Sequence, residues 1–356
     1  MIHRLICRAA LSVCFLLAPF ASAKAAKPLE IYFIDVEGGQ ATLIVAPSGQ
    51  AMLVDTGWPG FNGRDADRIV AAARAAGIQR IDEVIITHYH RDHVGGAPQL
   101  AARMKIGTFR DHGPNQEDSA VTREDYAAYE KLLPKARHVV VKPGDRIPLK
   151  GVDVRVLTAA GEHITRSLPG AGEPNPLCAS EPKPPADPTE NARSVGILLT
   201  YGSFRFIDLG DLTKQKELEL VCPNNLVGTV DVYLTTHHGL DQSNATAIVH
   251  ALHPRVAIMN NGARKGGTPV VWQIVRDSPG LEDLWQVHYA VESGREHNVA
   301  EELIANPEEQ CAGHYIKISA PPDGSFTVIN SRNGYTKTYK QAATPAAVQS
   351  PASARP

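Results

Sequence analysis

Four residues with metal-ligating side chains fall within six positions of the segment Ile86–Gly96, "ITHYHRDHVGG": His88, His90, Asp92 and His93. At an extended strand end, residues two apart point the same way, so His88 and His90 can present their imidazoles to one ion. Asp92 and His93, in the turn that follows, can address a second. Imidazole nitrogen with carboxylate oxygen suits zinc or another first-row divalent metal, and a set free of cysteine argues against a purely structural zinc. Catalytic metal sites keep a position open for water, so the chemistry is hydrolysis. A polar strand end whose histidines merely solvate is the alternative. It is outweighed because burying so many imidazoles without a metal leaves them competing for partners.

The elements that must position these groups can be read from periodicity. Strand-like runs at Ile31–Val36, Ala41–Val45 and Ala51–Asp55, separated by Gly38-Gly39 and Pro47-Ser48-Gly49, predict an opening β-meander. "RDADRIVAAARAAG" places Ile69, Val70, Ala73 and Ala76 on one helical face and ends at Gly77. The apolar run "IDEVIITH" then predicts a buried strand, and a helix is expected from about Val94 to Arg103. A strand, a helix and a strand in succession imply a crossover unit, with the ligand cluster at the end of its second strand. Later strands are expected over Val152–Leu157, Val195–Tyr201, Phe204–Leu209, Val230–Thr236 and Val256–Asn260. Helices are expected over Lys214–Val221 and Ala245–Leu252. Two mixed halves suggest one duplicated architecture. Between them 161–193, rich in Pro, Gly and Glu, predicts a long loop or partly disordered insertion, and the tail 341–356 has nothing to bury.

The motif His88-x-His90-x-Asp92-His93 resembles that of the metallo-β-lactamase superfamily. So do "VDTG" at Val54–Gly57, "DLGDL" at Asp208–Leu212 and "TTHHGLDQS" at Thr235–Ser243; the resemblance covers roughly Leu29 to Ile329. Within the superfamily, "FIDVEGGQATLIV", "LTTHHG" and "HPRVAIMNNG" look most like the hydrolase domain of bacterial competence (DNA-internalisation) proteins and its relatives, which include a phosphorylcholine esterase. The resemblance implies a single α/β domain over 24–340, an αββα sandwich with a dinuclear metal site between its two sheets. It implies that His88 and His90 hold the first metal, Asp92 and His93 the second, and that Asp211 bridges them. His237 or His238 completes the second site, with His237 preferred as the nearer to the strand end. Asp55 is expected to support the histidine loop from behind, and Asp208 to be a polar strand end.

Two departures stand out. Asn191 falls where many members carry a third histidine for the first metal; the competence-type relatives also carry Asn there, and the exchange leaves that metal short of a ligand, with His112 and His163 as candidate substitutes from loops. Glu37-Gly38-Gly39-Gln40 replaces the usual Gly-Asp pair.

Composition limits the remaining readings. With 356 residues, 43% hydrophobic and 21% charged, the chain can bury a large core. Residues 1–23 combine Arg4 and Arg8, an apolar run and Ala21-Ser22-Ala23, the layout of a cleaved secretory signal, which places the mature protein in the periplasm or outside the cell. Removing it shifts the formal charge from −2 to about −4, which disfavours a nucleic-acid partner without excluding one. It leaves Cys178, Cys222 and Cys311, enough for one disulfide or three unpaired thiols.

The expected protein is therefore an exported hydrolase. Two divalent ions, zinc or alternatively manganese or iron, would activate water against a phosphodiester or related phosphoester, with Asp92 and Asp211 as the catalytic carboxylates. A lactone or β-lactam hydrolase is the alternative, and a non-catalytic exported binding protein on the same fold is the second.

Overall fold

The computed structural model describes residues 27–341. The leader expected over 1–23 lies outside them, as does the tail expected over 341–356 apart from Gln341. The chain opens with an antiparallel meander, β1 (Leu29–Phe33), β2 (Thr42–Val45) and β3 (Ala51–Val54). Parallel crossovers follow: α1 (Arg64–Ala75), β4 (Arg80–Ile85), the short α2 (Arg91–Val94) and α3 (Ala97–Ala101), β5 (Lys105–Asp111), α4 (Ala120–Glu130) and β6 (Arg137–Val140).

The second half begins with β7 (Arg146–Leu149), β8 (Val152–Ala159), the two-residue β9 (Glu162–His163), β10 (Gly196–Tyr201) and β11 (Phe204–Asp208). It continues through α5 (Lys214–Val221), β12 (Val232–Leu234), α6 (Thr246–Leu252), β13 (Val256–Met259), α7 (Pro269–Arg276), β14 (Asp283–His288) and β15 (Ile304–Asn306). The chain then returns to the first half as β16 (Ile316–Ala320), β17 (Phe326–Asn330) and β18 (Thr336–Tyr339). Two nine-stranded sheets result, ordered β18-β17-β16-β1-β2-β3-β4-β5-β6 and β15-β14-β13-β12-β11-β10-β8-β7, with β9 paired to β8.

Alternation along the strands feeds three apolar layers. On β1, Leu29, Ile31 and Phe33 join the core between the sheets, while Tyr32 joins the layer that includes Ala66, Ile69, Val70 and Ala73 of α1. On β11, Phe204 and Phe206 face the central core and Ile207 the layer containing Leu220, Ile248 and Val275 of α5, α6 and α7. Phe33 and Phe206 meet edge-to-face across the sheets at 5.7 Å. The αββα expectation holds, with helices on the outer face of each sheet.

Local expectations hold best where the periodicity is long. Helix α1 closes as expected, with the Gly77 N–H donating to the Arg74 carbonyl and the Ile78 N–H to that of Ala73, the paired bonds of a Schellman end. The single helix expected from Val94 to Arg103 is instead broken into α2 and α3. Gly96 sits against the backbone there: a Cβ on it would lie 2.0 Å from the Thr56 carbonyl oxygen.

The expected insertion 161–193 is anchored. Its start pairs as β9, Cys178 is disulfide-bonded to Cys222 beyond α5, and Asn175 donates to the carbonyls of Val221 and Ala247. None of these ties has a periodic signature. Among the described residues Cys311 is the free thiol, and no helix is long and apolar enough to cross a membrane.

Candidate metal centre

The ligand segment begins where β4 ends and the apolar strand gives way to Ile86 and Thr87. Asp55, just beyond the neighbouring β3, reaches across to it. One Asp55 oxygen accepts from the Thr87 N–H at 2.8 Å; the other lies 2.7 Å from both the Thr87 hydroxyl and His93 Nδ1. With Nδ1 donating to this carboxylate, His93 turns Nε2 toward the site. Asp55 thus contacts the histidine loop from behind, through Thr87 and His93. From the other side Gly39 packs so close that a Cβ would lie 2.5 Å from the Asp92 carbonyl oxygen, which accepts from the Gln40 N–H. The Glu37–Gln40 turn thus seats the backbone of the ligand loop.

Asp92, His93, Asp211 and His238 converge, all buried. His93 Nε2 lies 3.2 Å from Asp92 Oδ2, 3.1 Å from Asp211 Oδ2 and 3.2 Å from His238 Nε2. His238 Nε2 lies 3.2 Å from Asp92 Oδ2 and 3.4 Å from Asp211 Oδ1. Ligand atoms bonded tetrahedrally to one ion at ordinary Zn–N and Zn–O lengths stand ~3.3 Å apart, so these separations match the edges of a coordination shell.

The residue completing this group is His238, and the preference for His237 is corrected. Strand β12 ends at Leu234, and the chain then turns through two left-handed residues, His237 and His238, which swings the second imidazole inward. His237 Nε2 touches Asp211 Oδ2 at 3.3 Å, while its Nδ1 lies 3.3 Å from the Ser243 hydroxyl. Asp211 therefore faces both histidines.

His88 and His90 lie side by side, their ring centroids 4.7 Å apart and edge-to-face, but their Nε2 atoms have different partners. His88 Nε2 is buried with no hydrogen-bond partner, 3.9 Å from Asp211 Oδ2, and its Nδ1 is 3.0 Å from the Thr87 hydroxyl. His90 Nε2, expected beside it, instead meets Glu117 Oε2 at 2.8 Å. The same Glu117 oxygen accepts the Glu190 N–H, so Glu117 ties His90 to the segment carrying Asn191, whose buried Oδ1 has no partner. His112 pairs with Glu190 at 2.8 Å and His163 lies 3.3 Å from Glu219; neither joins the converging group. Asp208 is turned aside: both its oxygens accept from Gln40 Nε2, at 3.0 and 2.9 Å.

Electrostatics mark the same spot. Burial alone would lower the His93 pKa, but the Asp211, Asp92 and Asp55 carboxylates hold it well above the usual histidine value. Burial would raise Asp92, yet His93 and Lys265 keep it well below the usual carboxylate range; His237, His93 and His238 do the same for Asp211. Burial, reinforced by His93, holds His88 well below its ordinary value, so it remains neutral. Three carboxylates demand positive charge at one point. The orphaned His88 Nε2 and Asp211 Oδ1, with an all-nitrogen and oxygen donor set, fit a divalent metal there.

Two neighbours carried no signal in the sequence. Lys265 donates to Asp92 Oδ2 with its ammonium 5.2 Å from the centre of the Trp58 ring. It lies in a glycine-flanked turn, and Glu117 in a polar loop, each remote from the ligand motif in the chain.

Residues 34–175 match the family model described as the metallo-beta-lactamase superfamily. Over that stretch, about two fifths of the chain, the sequence is that of a domain of the superfamily, and the two helix-flanked sheets have its fold. ComE operon protein 3 of Bacillus subtilis is 24% identical over 254 residues, 65% of this chain and 28% of that protein. A hydroxyacylglutathione hydrolase of Acidiphilium cryptum is 32% identical over 125 residues, 34% of this chain and 42% of that enzyme. The chain thus spans less than half the length of either. Among solved structures, the metallo-beta-lactamase fold protein YhfI of Bacillus subtilis aligns with a TM-score of 0.44 at 12% identity, covering 73% of this chain and 95% of that one.

Proposed function

We propose that the protein is an exported, metal-dependent hydrolase acting on a phosphodiester or related phosphoester. The observation that carries this reading is the convergence of Asp92, His93, Asp211 and His238 beside the unpaired His88 Nε2. Asp92, His93, Asp211 and His238 would hold one ion, and His88 and Asp211, with His90 beside them, would offer ligands to a second. When bound, such ions, zinc or alternatively manganese or iron, supply Lewis acidity and bring the ionisation of water toward neutral pH.

The chain's own groups do the rest. Asp55 fixes the His93 ring, so the ligand set is organised before substrate arrives. Asp92, kept ionised, orients the attacking water and can take its proton. The Lys265 ammonium beside it favours a substrate group that is anionic in the ground state and more so at the transition state. Lys265, together with Asn191 in place of a third histidine, favours a phosphoester over a β-lactam.

The hydroxyacylglutathione hydrolase relative supports a second reading, hydrolysis of an acyl ester, thioester or lactone. A non-catalytic binding protein has no need of the whole ligand set. Turnover of a chromogenic phosphodiester, a phosphomonoester, a lactone, a thioester and a β-lactam by metal-loaded protein separates these readings. Principal activity on an acyl substrate overturns the phosphoester assignment, and no turnover of any overturns the hydrolase.

A further inference from the structure

A second mixed cluster lies outside the catalytic group, where the two sheets meet at their rim. Asp35 follows β1 in the first sheet and Glu37 follows two residues later. His288 ends β14 in the second sheet, and Cys311 lies in the connection from β15 back to β16. Asp35 and His288 are fully buried; Glu37 and Cys311 are partly exposed, which leaves a path from solvent.

The four side chains aim at one point. His288 Nε2 lies 3.3 Å from Asp35 Oδ1, 3.3 Å from Glu37 Oε2 and 3.5 Å from Cys311 Sγ. Cys311 Sγ lies 3.0 Å from Asp35 Oδ2 and 3.3 Å from Glu37 Oε1. The His288 Nδ1 is buried without a partner, so the polar contacts of this ring all run through Nε2 into the cluster. The three His288 contacts match ligand atoms around one tetrahedral ion, ~3.3 Å apart for nitrogen and oxygen and slightly more where sulfur takes part, while the thiol's own carboxylate contacts run to the other oxygen of each carboxylate.

Arg68, from α1, holds the outer carboxylate oxygens: its Nη1 lies 2.8 Å from Asp35 Oδ2 and 3.1 Å from Glu37 Oε1. That leaves Asp35 Oδ1 and Glu37 Oε2 turned toward His288, the orientation that outer hydrogen bonds impose on metal-binding carboxylates.

We propose that Asp35, Glu37, His288 and Cys311 form a structural site for one zinc-like divalent ion, separate from the hydrolytic centre. Thiolate and imidazole donors select zinc or cobalt over magnesium or calcium. On binding, Cys311 gives up its thiol proton to solvent and its sulfur bonds the ion. Three negative charges, on Asp35, Glu37 and the thiolate, are then offset by the ion and Arg68. Such an ion staples β1 of one sheet to β14 of the other, three residues from the Gln40 that braces Asp92 and Asp208.

Cobalt substitution tests the site apart from catalysis, because the hydrolytic centre contains no sulfur. In full-length protein with Cys7→Ser and Cys14→Ser, Cys178 paired to Cys222 leaves Cys311 as the thiol able to bind. Loading with cobalt(II) is expected to give a near-ultraviolet thiolate-to-cobalt band that survives in Asp211→Ala, is lost in Cys311→Ser and weakens in His288→Gln. Zinc per chain falls by one in Cys311→Ser. Zinc is also expected to slow alkylation of Cys311 in the parent protein at least tenfold, a readout that needs no cluster variant to fold. A folded, cobalt-loaded parent without the band, a band that persists in Cys311→Ser, or alkylation indifferent to zinc overturns the proposal.

Discussion

His93 and His238, 145 positions apart in the chain, meet Nε2 to Nε2 at 3.2 Å, one supplied by each half of the fold. Two imidazole nitrogens at that distance must share either a proton or a cation, and the Asp92 and Asp211 carboxylates around them favour positive charge there. A bound cation meets that requirement without leaving a proton shared between two buried rings.

Metal removal should therefore weaken the fold as well as stop the reaction. With free zinc about a hundredfold above its dissociation constant, stabilisation by mass action is about 2.7 kcal/mol, a rise in Tm of roughly 4 °C for a chain of this size. Thermal unfolding with zinc and with chelator measures it; coincident transitions would mean that the convergent side chains bind nothing.

Asp211 touches both His237 and His238, and Asp55 touches only His93 and Thr87. Asp211→Ala should abolish turnover, whereas Asp55→Asn should lower metal affinity or activity by about 10- to 100-fold. Titration of each variant with metal, followed by activity at saturation, ranks them. Full turnover in Asp211→Ala would remove it from the centre.

Lys265 makes a prediction about substrate charge. Lys265→Met should lower kcat/KM for a phosphodiester by about 10²-fold, with a smaller loss for an uncharged ester. Equal losses on both would show that the lysine serves only to hold Asp92.

Burial pushes the Asp208 carboxyl up to about 6 from an ordinary 3.8. The folded state thus holds a proton that the unfolded chain releases. The contribution to stability is full below about pH 4 and is lost as pH rises through about 6, a difference of about 3 kcal/mol. Asp208→Asn, whose amide can pair with a flipped Gln40, should gain stability relative to the parent on going from about pH 4 to about pH 7.5. Urea unfolding of chelated protein at both values tests this; a difference that does not change with pH would place the ionised carboxylate at no cost.

The layers and most strands were legible because burial imposes a period. Helix α5 lies at the bounds expected from its apolar spacing, and α1 ends where Gly77 predicts. The residues hardest to place depend on backbone direction over a few positions. The choice between His237 and His238 turns on two consecutive left-handed residues, and His90 Nε2 is engaged by Glu117, which no spacing rule connects to it. Lys265 reaches Asp92 across 173 positions, and a single sequence carries no trace of a contact so distant.

The pairing of β1 with β16 sets an order on assembly. Leu29 lies opposite Ala320, so the first described strand of the domain waits for nearly the last before its outer edge is satisfied. During synthesis that edge stays open while the second sheet is still being made, and closure depends on contacts of very long sequence separation, the slowest kind to form. A chain so arranged cannot finish its first layer early. It passes through an interval with an exposed strand edge that is open to pairing with neighbouring chains.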